Sequence, residues 1–343
     1  MTTTMVLGVL VVVIAGLMQG SGGWPIKRMR RFQYEHWAFM AMLSALIVIP
    51  WAVTLLFCPR AIEAYRSVGA EVVLKSNLFS LSWGVANILC MLCFVRIGFS
   101  LTGGVLTGIG VSLGVTIPMV FKGSGLFKEA ADVGSPAGLT VLAGVAVMLI
   151  GVLLVSLAGF GRDTALQKTQ ATSGRFVTGL AMVVLAGALS CGISFAFVYS
   201  QGPIVAAMKA RGAPEIAANF AVWAVGLLGG AIVNVLYPAY LMTKNKSWHV
   251  LTTSAGETAL ALLISANMSV AIALMGKGML MLGALGASIG FGVQQAMQML
   301  GGQAVGFIGG EWRGVRGTPR LQMYAAIVVL ILAALIMAYG NAV

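Results

Sequence analysis

Residues 138–158 read GLTVLAGVAVMLIGVLLVSLA, a continuous apolar run without a charged side chain. A helix of about 20 apolar residues crosses the hydrocarbon core of a bilayer, whereas a membrane barrel is built from alternating segments of about ten residues. Nine other long apolar runs are present, at 4–23, 36–57, 77–95, 101–121, 177–199, 217–242, 257–275, 279–305 and 321–341. We therefore predict an all-α integral membrane protein with about ten transmembrane helices.

The composition of the whole chain supports this fold class. Of 343 residues, 59% are hydrophobic and only 9% are charged, against about 25% charged residues in soluble domains. The net charge of +12 raises the question of nucleic-acid binding, but the basic residues lie in short segments beside the apolar runs. That placement is typical of membrane proteins, so we expect the lipid bilayer as environment and no nucleic-acid partner.

The distribution of basic residues also predicts an orientation. The largest basic cluster, Lys27, Arg28, Arg30 and Arg31, directly follows the first apolar run. Because of this cluster, the odd-numbered loops carry more Lys and Arg than the even-numbered loops. The positive-inside rule then places the odd-numbered loops in the cytoplasm and both termini in the periplasm.

The chain divides near its middle into two similar halves. The polar stretch 161–176, GRDTALQKTQATSGRF, separates residues 1–160 from residues 177–343 and leaves five predicted spans on either side. AGLMQGSGGW at 15–24 resembles AGALSCGISF at 186–195. Five is odd, so a second copy enters the bilayer from the opposite side, and such inverted repeats are typical of secondary transporters with a solute site at the midplane.

Polar side chains within the spans suggest what that site binds. An amide facing lipid would be costly, so each must face a neighbouring helix or a cavity. Amides both donate to and accept from hydroxyl groups, and a Trp face packs on the C–H face of a sugar, so we predict a sugar site. Hydrogen bonds between helices are the alternative for each residue. The substrate-binding candidates are Gln19, Trp24, Trp83, Asn87, Tyr199, Asn219, Trp223, Asn267, Gln294 and Gln298.

Two acidic residues at the start of spans are candidates for proton coupling. Glu35 begins span two and Glu257 begins span eight, and an acid at membrane depth is a candidate proton carrier. A pair with Arg31, four residues earlier, is the alternative for Glu35. The two histidines, His36 and His249, are expected at the membrane interface.

The sequence offers little for catalysis. It contains neither a HExxH nor a GxxxxGK[ST] motif, so we expect no enzyme, no ATP-driven pump, no metal and no organic cofactor. The proton is the expected coupling ion, with sodium left open, and the oligomeric state is also open. An exporter or exchanger of amino acids or other small metabolites is the alternative to a sugar importer.

The chain contains several short motifs, namely Trp24-Pro25-Ile26-Lys27-Arg28, Tyr34-Glu35-His36-Trp37, Trp83-Gly84 with Asn87 and Arg96-Ile97-Gly98, Gly229-Gly230-Ala231-Ile232 with Asn234, and Glu311-Trp312. In their order and spacing these motifs resemble the L-rhamnose–proton symporter family of the ten-helix drug/metabolite transporter superfamily. The resemblance extends over nearly the whole chain and implies proton-driven sugar import by alternating access in a bacterial inner membrane.

Span eight departs from that family. Residues 265–272 read SANMSVAI, where the family has large aromatic side chains. Smaller side chains are expected to reshape any cavity that they line, so the identity of the sugar stays open.

Overall fold

The computed structural model describes residues 3–97, 99–121, 132–166, 173–282 and 286–340, and these residues form helices and turns without a strand. Two 3-10 segments, Trp24–Arg28 and Trp248–Thr252, lie between helices, and two π-helical segments, Leu43–Val48 and Val222–Gly226, lie within spans. The α-helices are α1 (Thr3–Ser21), α2 (Tyr34–Met42), α3 (Ile49–Phe57), α4 (Ala61–Ser67), α5 (Ala70–Ile97), α6 (Phe99–Val120), α7 (Pro136–Ala165), α8 (Ser173–Ser190), α9 (Gly192–Lys209), α10 (Glu215–Ala221), α11 (Leu228–Lys244), α12 (Ala255–Met281), α13 (Gly286–Ile308) and α14 (Thr318–Gly340).

The helices confirm a multi-pass membrane protein. Among the described residues, eight helical stretches are long and apolar enough to cross a membrane. A ninth is added when Glu215–Gly226 and Leu228–Lys244, which meet at a bend of 64°, are counted as one span. The one predicted span outside this count, 279–305, corresponds to α13, a helix of 23 residues whose glutamines lower its hydropathy. The number ten therefore stays a prediction.

Helical structure extends into the stretch that was predicted as a linker. α7 continues to Ala165, and α8 begins at Ser173. Residues 167–172, the middle of the predicted linker, lie outside the described residues.

Eight spans form a closed ring, in which each span contacts the next. Here α2 with α3, α8 with α9, and α10 with α11 are each counted as one span. The ring runs α2/α3, α10/α11, α5, α8/α9, α6, α13, α1, α12 and back to α2/α3. α7 and α14 pack against each other outside the ring, on α6 and α13.

Small residues bring these helices close together. A Cβ atom at Gly20 of α1 would overlap the carbonyl oxygen of Gln298 in α13, and one at Gly104 of α6 would overlap Ser156 of α7. Lipid provides no hydrophobic force between helices, so close backbone approach carries much of their association. Gly20 and Gly104 therefore serve as packing surfaces between helices.

The two ends of the ring are packed differently. We call the end where α1 begins, with residues 58–69 and 210–214, the N-terminal end, and the opposite end, with residues 22–33 and 245–254, the first-loop end. At the N-terminal end, α10 packs across the ring against α3, α9 and α12. Every residue from 217 to 224 is buried there. In the described part of the chain, α2 makes no comparable contact with α5 at the first-loop end, so the interior is more tightly closed at the N-terminal end.

Candidate functional site

Three glutamines predicted for the site come together where α1 meets α13. Gln294 Nε2 donates to Gln19 Oε1 at 3.0 Å and to Gln298 Oε1 at 3.2 Å. Gln294 is buried, whereas Gln19 and Gln298 are half-buried. Gln19 lies on the face of α1 opposite the exposed Leu10 and Ile14, so it points into the ring. The half-buried amides retain hydrogen-bonding capacity for a ligand.

Asn267 lies beside this group on α12. Its Nδ2 donates to the carbonyl oxygen of Met18 at 2.8 Å, and its side chain approaches Gly22. The bond fixes α12 to the end of α1, one residue from Gln19. Asn267 is half-buried. Because one amide hydrogen bonds Met18, a ligand could be bound by the side-chain oxygen and the other amide hydrogen.

Trp83 and Asn87 form the opposite wall, on α5. Both are half-buried, and the far face of α5 carries Leu74 and Leu78, exposed by 63% and 58%. In the ring, α5 stands across from α1, so these side chains and Gln19 face each other. Asn87 Nδ2 donates to Asn234 Oδ1 at 2.9 Å. Trp83 and Asn87 therefore lie on one face of α5, as predicted, and the amide of Asn87 is hydrogen-bonded to α11.

The predicted residues of spans six and seven lie in the closed half of the ring. Trp223 is 3% exposed, and its ring meets Trp83 at 6.3 Å and Phe197 at 5.3 Å between centroids. Asn219, also 3% exposed, accepts from Gln201 Nε2 at 3.5 Å. The ring of Tyr199 is half-buried and stacks on that of Phe79 at 5.6 Å. These five aromatic rings belong to α5, α9 and span seven.

Trp24 does not lie with the other candidates. It begins the 3-10 segment after α1, is 39% exposed, and has the guanidinium of Arg28 over its ring at 5.0 Å. An exposed Trp beside a basic residue at the end of a span is typical of an interfacial anchor. The structure therefore separates Trp24 from the group formed by Gln19, Gln294 and Gln298.

Side chains of α5 and α4 bond the backbone at the bend between α10 and α11. Asn77 Nδ2 donates to the carbonyl oxygen of Val225 at 2.8 Å, and its Oδ1 accepts from the Gly229 N–H at 2.7 Å. Tyr65 Oη donates to the carbonyl oxygen of Ala221 at 2.8 Å. Irregular backbone at membrane depth is tolerated where such partners satisfy it. The sequence alone does not predict this role, although the position of Asn77 within an apolar run indicates a polar contact.

Glu35 is buried at the start of α2. It is 6% exposed, and Asn245 Nδ2 donates to its Oε1 at 3.0 Å. The expected alternative of a pair with Arg31 is wrong, because Arg31 donates to the carbonyl oxygen of Thr253 at 2.8 Å. Among the described residues, Glu35 has no ion pair.

Glu257 has a different environment. It lies in the first turn of α12, where Ser254 is the N-cap residue. Its carboxylate accepts from the backbone N–H groups of Arg30, Arg31 and Phe32, at 3.0, 3.1 and 2.6 Å. A carboxylate held by three backbone donors anchors the loop after α1 to α12.

His36 lies in the first turn of α2 and is 2% exposed. Its Nδ1 accepts from the Gln33 N–H at 3.0 Å. The proton of the neutral ring is therefore on Nε2, which faces the carbonyl oxygen and Oγ of Ser247 at 3.2 and 3.1 Å. Glu35 and His36 thus both hold the segment after α11. His249 is exposed.

An ion cluster joins the two halves of the chain at the first-loop end. Glu311 accepts from Lys27 Nζ at 2.6 Å and from Arg162 at 2.8 Å. Arg162 also pairs with Asp163 at 2.9 Å and lies over the ring of Trp312 at 5.5 Å. Lys27 and Arg162 belong to the first half of the chain and Glu311 to the second, so the cluster ties α1 and α7 to the segment before α14.

The described residues thus combine a ring of membrane-crossing helices with uncharged polar groups on its inner walls. In the part of the chain that the structure describes, no group of His, Cys, Asp and Glu is arranged to hold a metal. The fold and these walls define a multi-pass helical membrane transporter. Residues 1–343 match the family model of the L-rhamnose-proton symport protein, and the chain belongs to that family.

Individual relatives show the same similarity at lower coverage. The chain is 28% identical over 239 residues to the L-rhamnose-proton symporter of Yersinia pestis bv. Antiqua (strain Antiqua). The aligned region covers 69% of this chain and 67% of the relative. The L-rhamnose-proton symporter of Yersinia pseudotuberculosis serotype O:3 (strain YPIII) gives the same identity and coverage.

Proposed function

We propose that this protein imports a sugar, a rhamnose-like deoxyhexose or another monosaccharide, by proton symport. The match of the family model to the whole chain carries this proposal. The uncharged amides and indole rings inside the ring agree with it, since a neutral polyol needs donors, acceptors and flat apolar faces. Because span eight departs from the family, the sugar that the protein carries is itself part of the proposal.

We propose ten spans arranged as two inverted repeats that alternate access. α12 begins at the first-loop end, where Glu257 bonds Arg30, and α13 ends there, because Glu311 follows it and pairs with Lys27. These contacts support α13 as a further membrane-crossing helix, which would bring the number of spans to ten. Exchanging each span with the one five places later maps the ring of contacts onto itself, as a two-fold axis in the membrane plane would require.

The sugar would bind between the two walls near the middle of the ring. Gln19, Gln298 and Asn267 supply hydrogen-bonding groups from one wall, and Trp83 and Asn87 supply an indole face and an amide from the other. Gln294 would orient Gln19 and Gln298 through the bonds it donates. Tyr199, Asn219 and Trp223 lie behind Trp83 and would contact sugar only after the N-terminal end opens.

Glu35 is the proposed proton carrier. It is buried at the start of a membrane span without a cationic partner in the described residues, and an acid in such a position is a candidate proton carrier. Asn245 and Ser247, which bond Glu35 and His36, belong to the segment after α11. A change of charge at Glu35 would therefore act on the packing of α2 against α11. Glu257 is the alternative carrier.

The protein would reside in a bacterial inner membrane with both termini in the periplasm. The first-loop end, with Lys27, Arg28, Arg30 and Arg31, would then face the cytoplasm, as the positive-inside rule predicts. The more tightly closed N-terminal end would face the periplasm, so the described state would be open toward the cytoplasm.

Uptake into proteoliposomes tests the proposed function. Purified protein is reconstituted, a pH gradient is imposed, and uptake of labelled deoxyhexoses, hexoses and pentoses is measured with and without the gradient. A sodium gradient without a pH gradient is the second arm. We expect one sugar class to accumulate only with the pH gradient. Uptake that does not respond to the pH gradient but depends on the sodium gradient would refute proton coupling. Accumulation of amino acids alone would support the exporter or exchanger.

A further inference from the structure

Two spans share an unusual construction. In span two, α2 is followed by the π-helical segment Leu43–Val48 and then by α3. In span seven, α10 is followed by the π-helical segment Val222–Gly226 and then by α11. These spans occupy equivalent places in the two halves. A π-helical segment in the middle of a helix often marks a functional site.

Each of the two spans also lies beside a helix with two serines four residues apart. The stretch SNLFS at 76–80 of α5 and the stretch SANMS at 265–269 of α12 each have a serine at both ends. α5 contacts span seven, and α12 contacts α2 and Leu43–Val48. The relation between serine pair and π-helical segment is therefore repeated in the two halves.

The serine pair of α5 is bonded to its span. Ser76 Oγ donates to the carbonyl oxygen of Gly226, and Ser80 Oγ accepts from the Gly230 N–H at 2.9 Å. Span seven is bent by 64° between the two bonded glycines. The pair thus holds the carbonyl oxygen before the bend and the N–H group after it.

The serine pair of α12 is not bonded. Ser265 and Ser269 are 1% and 6% exposed, and the Oγ atoms of both are buried without a hydrogen-bond partner among the described residues. They lie on the face of α12 opposite Asn267, which contacts α1, and on the same face as Gly276, which contacts Asn219 of α10. That face is turned toward spans two and seven.

Span two itself is in the matching unbonded state. Tyr34–Phe57 runs as one continuous span. Among the described residues, no side chain bonds the backbone of Leu43–Val48, whereas Ser76, Asn77 and Tyr65 bond the π-helical segment of span seven. Two buried hydroxyl groups without a partner are costly, and the backbone of a bent span two would provide partners.

We propose that Ser76 with Ser80 and Ser265 with Ser269 are positioning residues that bond their spans in alternation. In the described state the α5 pair holds span seven bent, with α10 closing the N-terminal end. In the opposite state the α12 pair would hold span two bent, α2 would close the first-loop end, and the α5 pair would be released. The inference rests on the proposed function, because it assumes that the ring alternates between two states.

Paired variants and a labelling reporter test this exchange. Ala218, a fully buried residue of α10, is replaced by Cys in a chain whose Cys58, Cys90, Cys93 and Cys191 are replaced by Ala. The rate at which maleimide alkylates the Ala218→Cys thiol in detergent reports opening of the N-terminal end. S76A/S80A, S265A/S269A and the control S156A are compared, since Ser156 is a buried serine whose Oγ bonds only its own helix at Val152.

The two double variants should shift the reporter in opposite directions. S76A/S80A should raise the alkylation rate about tenfold, which corresponds to ~1.4 kcal/mol. S265A/S269A should lower the rate and leave the melting temperature unchanged or higher, because it removes hydroxyl groups that lack partners. S156A should leave the rate unchanged. Shifts in the same direction, or an unshifted reporter in S265A/S269A with the fold intact, would overturn the proposal.

The reporter is measured without sugar, so its result is separate from that of the uptake experiment. Opposed shifts in a chain that accumulates no sugar would refute sugar import and retain the exchange of serine pairs. Sugar uptake with an unshifted reporter would retain the proposed function and refute the exchange.

Discussion

At the scale of single residues, Glu35 is the side chain whose chemistry the proposed coupling needs most. Glu35→Gln keeps the size of the side chain but cannot gain or lose a proton. We expect this variant to lose accumulation against a sugar gradient and to keep counterflow exchange, which involves no net change of protonation. The measurement compares the two assays in the same proteoliposomes. Normal accumulation by Glu35→Gln would make Glu35 structural and direct attention to Glu257.

Glu257→Gln is the matched variant, at the start of another span on the same side. Its carboxylate accepts three backbone N–H groups, and an amide oxygen replaces these charge-assisted bonds with weaker ones. We expect a loss of about 1–3 kcal/mol in stability, detected as a lower melting temperature, with gradient-driven accumulation retained per folded molecule. Unchanged melting with lost accumulation would contradict the anchoring role.

Asn87 tests the substrate site. Asn87→Ala removes an amide from the inner wall and leaves Asn234 Oδ1 without its donor. If Asn87 bonds a sugar hydroxyl, binding should weaken by about 1–3 kcal/mol, and unevenly for two epimers that differ at that hydroxyl. The affinities of both epimers are measured in wild type and variant. An equal loss for both, together with a lower melting temperature, would assign Asn87 to packing alone.

Residue types predicted which side chains avoid lipid better than they predicted how those side chains are paired. Gln19, Gln294 and Gln298 were selected because amides avoid lipid, and they do bond one another. The environment of Glu35 could not be predicted, because Asn245 is distant in sequence and Arg31, the local partner, is used elsewhere. Trp24 was chosen by type as well, but its position past the end of α1 leaves it beside Arg28.

At the scale of elements, glycine contacts between helices decide how closely α1 approaches α13. Gly20→Ala places a Cβ against the carbonyl oxygen of Gln298, so α1 must move and the bond between Gln19 and Gln294 should lengthen. We expect a markedly lower melting temperature and weaker sugar binding. Gly103→Ala is the control, because no atom lies within 4 Å of its added Cβ and Ala favours a helix by about 1 kcal/mol. Equal effects of both substitutions would refute the packing role.

Apolar runs located most helices but not the interruptions within them. The run 217–242 was predicted as one span because its hydropathy is continuous, yet the structure bends it by 64°. The bend depends on bonds from Asn77, Ser76 and Ser80, which are more than a hundred residues earlier in the chain. Hydropathy indicates which segments lie in lipid. It does not indicate where a side chain from a distant part of the sequence bonds the backbone in place of a helical hydrogen bond.

At the scale of the whole molecule, the two stretches that resemble each other in sequence make matching contacts. The equivalent stretches at 15–24 and 186–195 share few residues, but each supplies a helix that contacts the third and fourth spans of the other half. At these contacts, packing constrains the size and polarity of the side chains more than it constrains which amino acid is present. The difference in closure between the two ends, by contrast, distinguishes one state from another, and a sequence that must form both states cannot reveal it.

The orientation of the whole molecule is tested by two single cysteines in the chain without native cysteines. Thr3 lies at the N-terminal end and Thr164 at the first-loop end, and both are exposed. With the basic first loop in the cytoplasm, a membrane-impermeant maleimide should label Thr3→Cys in intact cells and Thr164→Cys only after permeabilisation. Labelling of Thr164→Cys alone in intact cells would reverse the orientation. The closed end would then face the cytoplasm, and the described state would be the one open to the periplasm.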